Sequence, residues 1–95
     1  MTRRPIHAGI FLQDELAELG ISAAGLVRRI GMSASRVRRI LTGKARLTAE
    51  AALRLGRWLG TGPGIWLNLQ KAYELDLARR EMGSALDAIE PRIAA

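Results

Sequence analysis

Residues 22–44, SAAGLVRRIGMSASRVRRILTGK, read as two short helices broken at a glycine. Ser22 can cap the first, in which Leu26, Val27 and Ile30 repeat at helical spacing before Gly31 stops it. Ser33 can cap the second, which continues to about Thr42 and ends at Gly43. A capped helix, a glycine turn of three or four residues and a second capped helix is the spacing of a helix-turn-helix, which lays its second helix in the DNA major groove. On that second helix Val37, Ile40 and Leu41 define an inward face, so Ser35 and Arg39, one turn apart, point outward with Arg36 and Arg38 beside them. Arginine can donate two parallel hydrogen bonds to guanine, while serine and a helix amino terminus hold phosphate, which brings Ser33 and Ala34 into the same face. Lys44 and Arg46, in the loop that follows, suit phosphate contacts that fix register without reading bases.

The remaining chain extends this pair into an all-α, five-helix domain. Apolar residues recur at three and four throughout, and no stretch alternates as a strand would. A first helix is expected from Ala8 or Gly9 to Leu19, carrying Leu12, Leu16 and Leu19, with Gly20 ending it. Thr48 can cap a fourth, with Glu50 in its first turn and Leu53, Leu55, Trp58 and Leu59 offered to the core. Gly60 closes that helix, and Pro63 opens a long fifth one running to about Gly83. The expected division is a DNA-binding domain over residues 1–83, with the helix-turn-helix at about 22–42, and a tail over 84–95 able to form one more short turn before Pro91.

Charge is distributed unevenly. Residues 28–57 hold nine basic side chains against one acid, Glu50, whereas residues 1–27 and 58–95 each carry one more acid than base. All of the net charge of +6 therefore sits in the middle third, the electrostatic footprint of a polyanion site. The alternative is a solvated basic face with no partner. No cysteine is present, which excludes a disulfide framework and thiolate metal sites and points to the cytoplasm. Apolar runs are too short for a membrane span. Arg3 and Arg4 precede apolar residues, but the run from Ile10 to Leu12 ends at Gln13 with acids behind it, unlike an export signal. His7, the single histidine, reads as an exposed residue near a frayed end, and Asp14 and Glu18 as a solvated pair or a contact for a basic protein. No phosphate loop, nucleophile elbow or metal spacing appears, so neither enzyme activity nor a metal or other cofactor is expected.

The blocks IHAG, MSASRVRRILTGKARLTAEAALRLGRWLGT and PGIWLNLQKAYELDLA together resemble the HigA-type antitoxins of bacterial toxin–antitoxin modules, within the phage-repressor-like helix-turn-helix group. The resemblance spans about Ile6 to Gly83. It implies a dimeric repressor of its own operon that neutralises a RelE-like mRNA endoribonuclease. Arg36 matches an arginine common in that family's recognition helix, and Lys44 its Gly-Lys step. Ala8 stands where the family often has proline, and Val27 where it usually has alanine, with Gly25 nearby to relieve crowding.

The fifth helix is apolar on two sides. Ile65, Trp66, Leu69, Ala72, Tyr73 and Leu77 form one arc, enough to pack on helices one and four; Leu67, Leu75, Ala78 and Met82 form a second, set off by Gln70, Glu74 and Glu81. An arc left in water marks an interface, and a homodimer through Trp66, Leu67, Leu75, Ala78 and Met82 is expected. Burial of both arcs within one chain is the alternative. Three functions stay open at this point: an autoregulating antitoxin, a repressor without a toxin, and a protein inhibitor whose basic face is incidental.

Overall fold

The computed structural model describes residues 4–93, so Arg3 and the last two alanines of the tail lie outside it. Helix starts are set by single side chains. The Oγ atoms of Ser22 and Ser33 and Oγ1 of Thr48 accept the backbone N–H of Gly25, Arg36 and Ala51 at 3.0, 3.2 and 3.3 Å. These caps open α2 (Ala23–Ile30), α3 (Ala34–Leu41) and α4 (Ala49–Leu59). The cap of α1 (Ala8–Leu19) is His7, whose Nδ1 accepts from Gly9 N–H at 2.9 Å. Pro63 precedes α5 (Gly64–Met82), and a four-residue α6 (Ser84–Asp87) follows as the short turn expected in the tail.

His7 corrects the sequence reading. It is only 6% exposed and its ring meets Tyr73 edge-on at 4.9 Å between centroids. Burial holds its pKa below 6.5, against smaller upward pulls from the Ala45 backbone and Glu74. A neutral ring is needed, because protonation would remove the acceptor that caps α1. Since the unfolded chain takes up this proton first, the contribution to stability is complete above pH 6.5 and declines as pH falls below it, until the lower folded pKa is passed. Urea midpoints should therefore drop as pH is lowered from 6.5. His7→Asn, which caps without titrating, should flatten that slope; an unchanged slope would remove His7 as its cause.

The core is a single cluster. Leu12 and Leu16 of α1, Leu26 and Ile30 of α2, Val37, Ile40 and Leu41 of α3, and Ala51, Ala52 and Leu55 of α4 close around Leu47, which is 0% exposed. Truncating a leucine so buried costs about 2–5 kcal/mol, so each of the four fully covered ones, Leu12, Leu26, Leu47 and Leu55, is a large share of a small domain's stability. Val27 does not hold α2 off α3: it is half-buried against this cluster, and Gly25 is buried beside it. Leu19 and Leu53, expected inside, are exposed. Each lies past the edge of its helix's buried stripe, which is narrower than its apolar one.

α5 packs by a different set of residues from the one its hydrophobicity selects. Trp66 is 5% exposed and joins the core, with Nε1–H donated to Thr61 Oγ1 at 3.2 Å. That removes it from the expected dimer surface. Gln70, read as part of the divide between the two arcs, is 3% exposed; its Oε1 accepts Leu47 N–H at 3.0 Å and its Nε2 donates to Glu74 at 2.9 Å. An amide is needed here because the Leu47 N–H, in the loop between α3 and α4, would otherwise be buried without a partner. Ile65 and Ala72 are exposed instead of packed, and line two separate depressions between α1 and α5 that share Phe11 and Leu69. Every side chain from Ala78 to Met82 is exposed, as are residues 83–93, and the molecule measures 50 × 24 × 22 Å. Among the described residues, no helix is long and apolar enough to cross a membrane.

Candidate nucleic-acid interface

α3 is fixed from below and open above. Val37, Ile40 and Leu41 are 2, 4 and 8% exposed, and they anchor the helix on α1 and α2. The turn before it requires Gly31, whose φ of +69° is a left-handed conformation that side chains with a Cβ resist. α1 braces the other end, where Gln13 Nε2 donates to the carbonyl of Leu41. With its inner face held this way, Ser33, Ala34, Ser35, Arg36, Arg38 and Arg39 are all exposed, as the spacing predicts.

The loop after α3 is folded back onto it. Thr42 Oγ1 donates to Arg38 O at 2.9 Å, and the N–H groups of Lys44 and Ala45 both reach Arg39 O, at 2.8 and 3.1 Å. Lys44 is thereby presented, exposed, next to the end of the recognition helix. A cleft of about 270 Å³ between α3 and the start of α4 is lined by Ser35, Arg36, Arg39, Ile40, Ala45, Arg46 and Thr48. Arg38, Arg39 and Lys44 have no acidic partner among the described residues, so their charge is available to a polyanion.

Two arginines are more constrained than the sequence suggests. Arg46 makes a two-pronged pair with Glu74 of α5, at 2.9 Å through Nε and 3.2 Å through the second nitrogen. This pair, with help from Gln70, pulls the Glu74 carboxyl down to about 2 and raises the Arg46 guanidinium. Arg46 is thus a tie between the loop and α5, and its charge is largely matched before any phosphate arrives. Arg36 lies 3.6 Å from Glu50 in the first turn of α4. On the α2 side, Arg54 donates to the Ile30 carbonyl at 2.9 Å, and Arg29 lies 5.9 Å over the Trp58 ring. Sequence reasoning named Glu50 as a first-turn acid and Gln70 and Glu74 as the divide between two apolar arcs, but missed the contacts that bring all three to this site.

A family profile described as a helix-turn-helix domain matches residues 7–65. Among curated proteins, virulence-associated protein I of Dichelobacter nodosus is 39% identical over 80 residues, covering 83% of this chain and 74% of that protein. Among solved structures, an addiction module antidote protein of the HigA family from Coxiella burnetii superposes with a TM-score of 0.90 at 40% identity, covering 94% of this chain and 99% of that one. The Pseudomonas aeruginosa antitoxin HigA, solved with the higBA promoter, gives a TM-score of 0.88 at 40% identity, covering 95% and 100%.

Proposed function

The chain belongs to the HigA family of helix-turn-helix antitoxins, and from that premise we propose that it represses its own operon and neutralises the toxin encoded beside it. One observation carries the repressor half: the exposed residues Ser33 to Arg36, Arg38 and Arg39, with Lys44 behind them, occupy the fold of a protein solved with its promoter. The toxin half rests on kinship. Its target is a RelE-like mRNA endoribonuclease, and the chain itself acts by binding in the cytoplasm without a catalytic activity of its own. A repressor without a toxin would have no such reading frame beside its gene.

The test is fluorescence anisotropy against the protein's own upstream DNA and a scrambled duplex of equal length, at two salt concentrations. Preference for the upstream duplex should persist at the higher salt. Equal affinities that fall together with salt would reduce the basic third to phosphate attraction and overturn the operator reading.

The functional unit in this reading is a homodimer. Leu67, Leu75 and Met82 are 37, 46 and 40% exposed and share one side of α5 with Ala78, a surface that is apolar without being covered. Two-fold pairing there places two recognition helices on half-sites roughly 34 Å, one helical turn, apart. Leu75→Glu should yield a monomer at micromolar concentration by light scattering and weaken operator binding at least tenfold. A wild-type chain already monomeric at that concentration would defeat the dimer.

A further inference from the structure

The one acid in the basic third has an unusual position. Glu50 Oε2 accepts from Arg54 Nε at 3.0 Å, and Arg54 Nη1 donates onward to the carbonyl of Ile30. The other carboxylate oxygen, Oε1, lies 3.6 Å from Nη1 of Arg36. A chain of charged contacts therefore runs from the end of α2, through the first turn of α4, to the exposed face of α3. Arg36 is approached at a single terminal nitrogen, at ion-pair distance and without a hydrogen bond. Its Nε and Nη2 have no partner among the described residues, so the edge able to donate two parallel hydrogen bonds stays open.

We propose that Glu50 is a positioning residue for sequence selectivity, holding Arg36 so that the guanidinium offers its open edge to a base and not its charge to any passing phosphate. The inference rests on the operator-binding reading and extends it. A carboxylate within a polyanion site weakens binding to every duplex, since it repels phosphate and neutralises a neighbouring cation. That penalty is useful only where it is repaid selectively. Against a scrambled duplex Arg36 has only phosphate to gain and Glu50 competes for it. Against the right base two directional hydrogen bonds form on the free edge, and the nearby carboxylate biases the guanidinium toward that orientation, which lowers the cost of ordering a long side chain. Capping the dipole of α4 is a separate, structural role for Glu50, and a purely structural role would affect all duplexes alike.

The experiment compares wild type, Glu50→Gln, Arg36→Ala and the double variant, each bound to the upstream duplex and to the scrambled one by anisotropy. The readout is the ratio of the two affinities, because a loss of folded protein scales both equally and leaves their ratio alone. Glu50→Gln should bind the scrambled duplex more tightly and lower the ratio about fivefold or more. In the Arg36→Ala background the same change should leave the ratio within about twofold. An unchanged ratio in Glu50→Gln, or an equal fall with and without Arg36, would overturn the inference while leaving operator binding intact. A wild-type ratio of one would overturn both.

Discussion

Replacing Arg36 and Arg39 together by alanine is expected to cut operator affinity between roughly 30-fold and 2 × 10⁴-fold, at about 1–3 kcal/mol for each base-reading side chain removed. Arg39 points outward from α3 with Arg36 beside it, and both are exposed and line the cleft against α4. Binding to a scrambled duplex should weaken far less, and its salt slope should shrink by about two, one for each cation removed. Stability should scarcely change, because neither side chain belongs to the core and the Arg36 pair with Glu50 is an exposed one of small worth. The combination matters more than any single value. A large operator loss with an unaltered melting curve identifies readers of sequence. Unaltered operator affinity would refute the role given to α3.

Gly9→Ala is the substitution expected to damage the fold most for its size. Gly9 is buried in the first turn of α1, and a Cβ added there would collide with the backbone carbonyl of Ile40 and press on the His7 ring. A side chain can rotate away, but a backbone carbonyl within α3 cannot. The cost should fall at the upper end of the 1–3 kcal/mol typical of overpacking, about 2–3 kcal/mol, which lowers the melting temperature of a domain this size by roughly 10–20 °C. Because the obstructed contact is with the recognition helix itself, operator affinity should fall in the fraction that remains folded. A melting temperature within 2 °C of wild type would show that α1 can shift at little cost, and that α3 does not depend on this close approach.

Features determined by near neighbours along the chain are legible in the sequence itself. Ser22, Ser33 and Thr48 each satisfy an N–H three residues ahead, and the outward side of α3 follows from where Val37, Ile40 and Leu41 fall on a helix. What escapes such a reading depends on partners far along the chain. Gln70 is buried because Leu47 N–H arrives from 23 residues away, and Arg46 is engaged because Glu74 lies 28 residues on. His7 is covered by Tyr73, which no local pattern links to it. On α5 the helical wheel gives two apolar arcs, but the centre of burial lies at Trp66 and Gln70, so Ile65 and Ala72 are left at the water's edge. Apolar periodicity reports which residues can be buried. Which of them are buried is decided by the shape of the neighbouring helices.

From Ala78 to Met82, every residue of α5 is exposed and none belongs to the core. That stretch can therefore accumulate substitutions without disturbing the core or the exposed side of α3, just as Ser35 and Arg39 can change without altering how two copies would meet in the proposed dimer. In the proposed dimer, choice of mate and choice of promoter would therefore lie under separate mutational control. A genome that duplicates such an operon can let the copies drift apart by either route first, so that sister repressors cease to mix before their promoters diverge, or silence new promoters while still assembling as before.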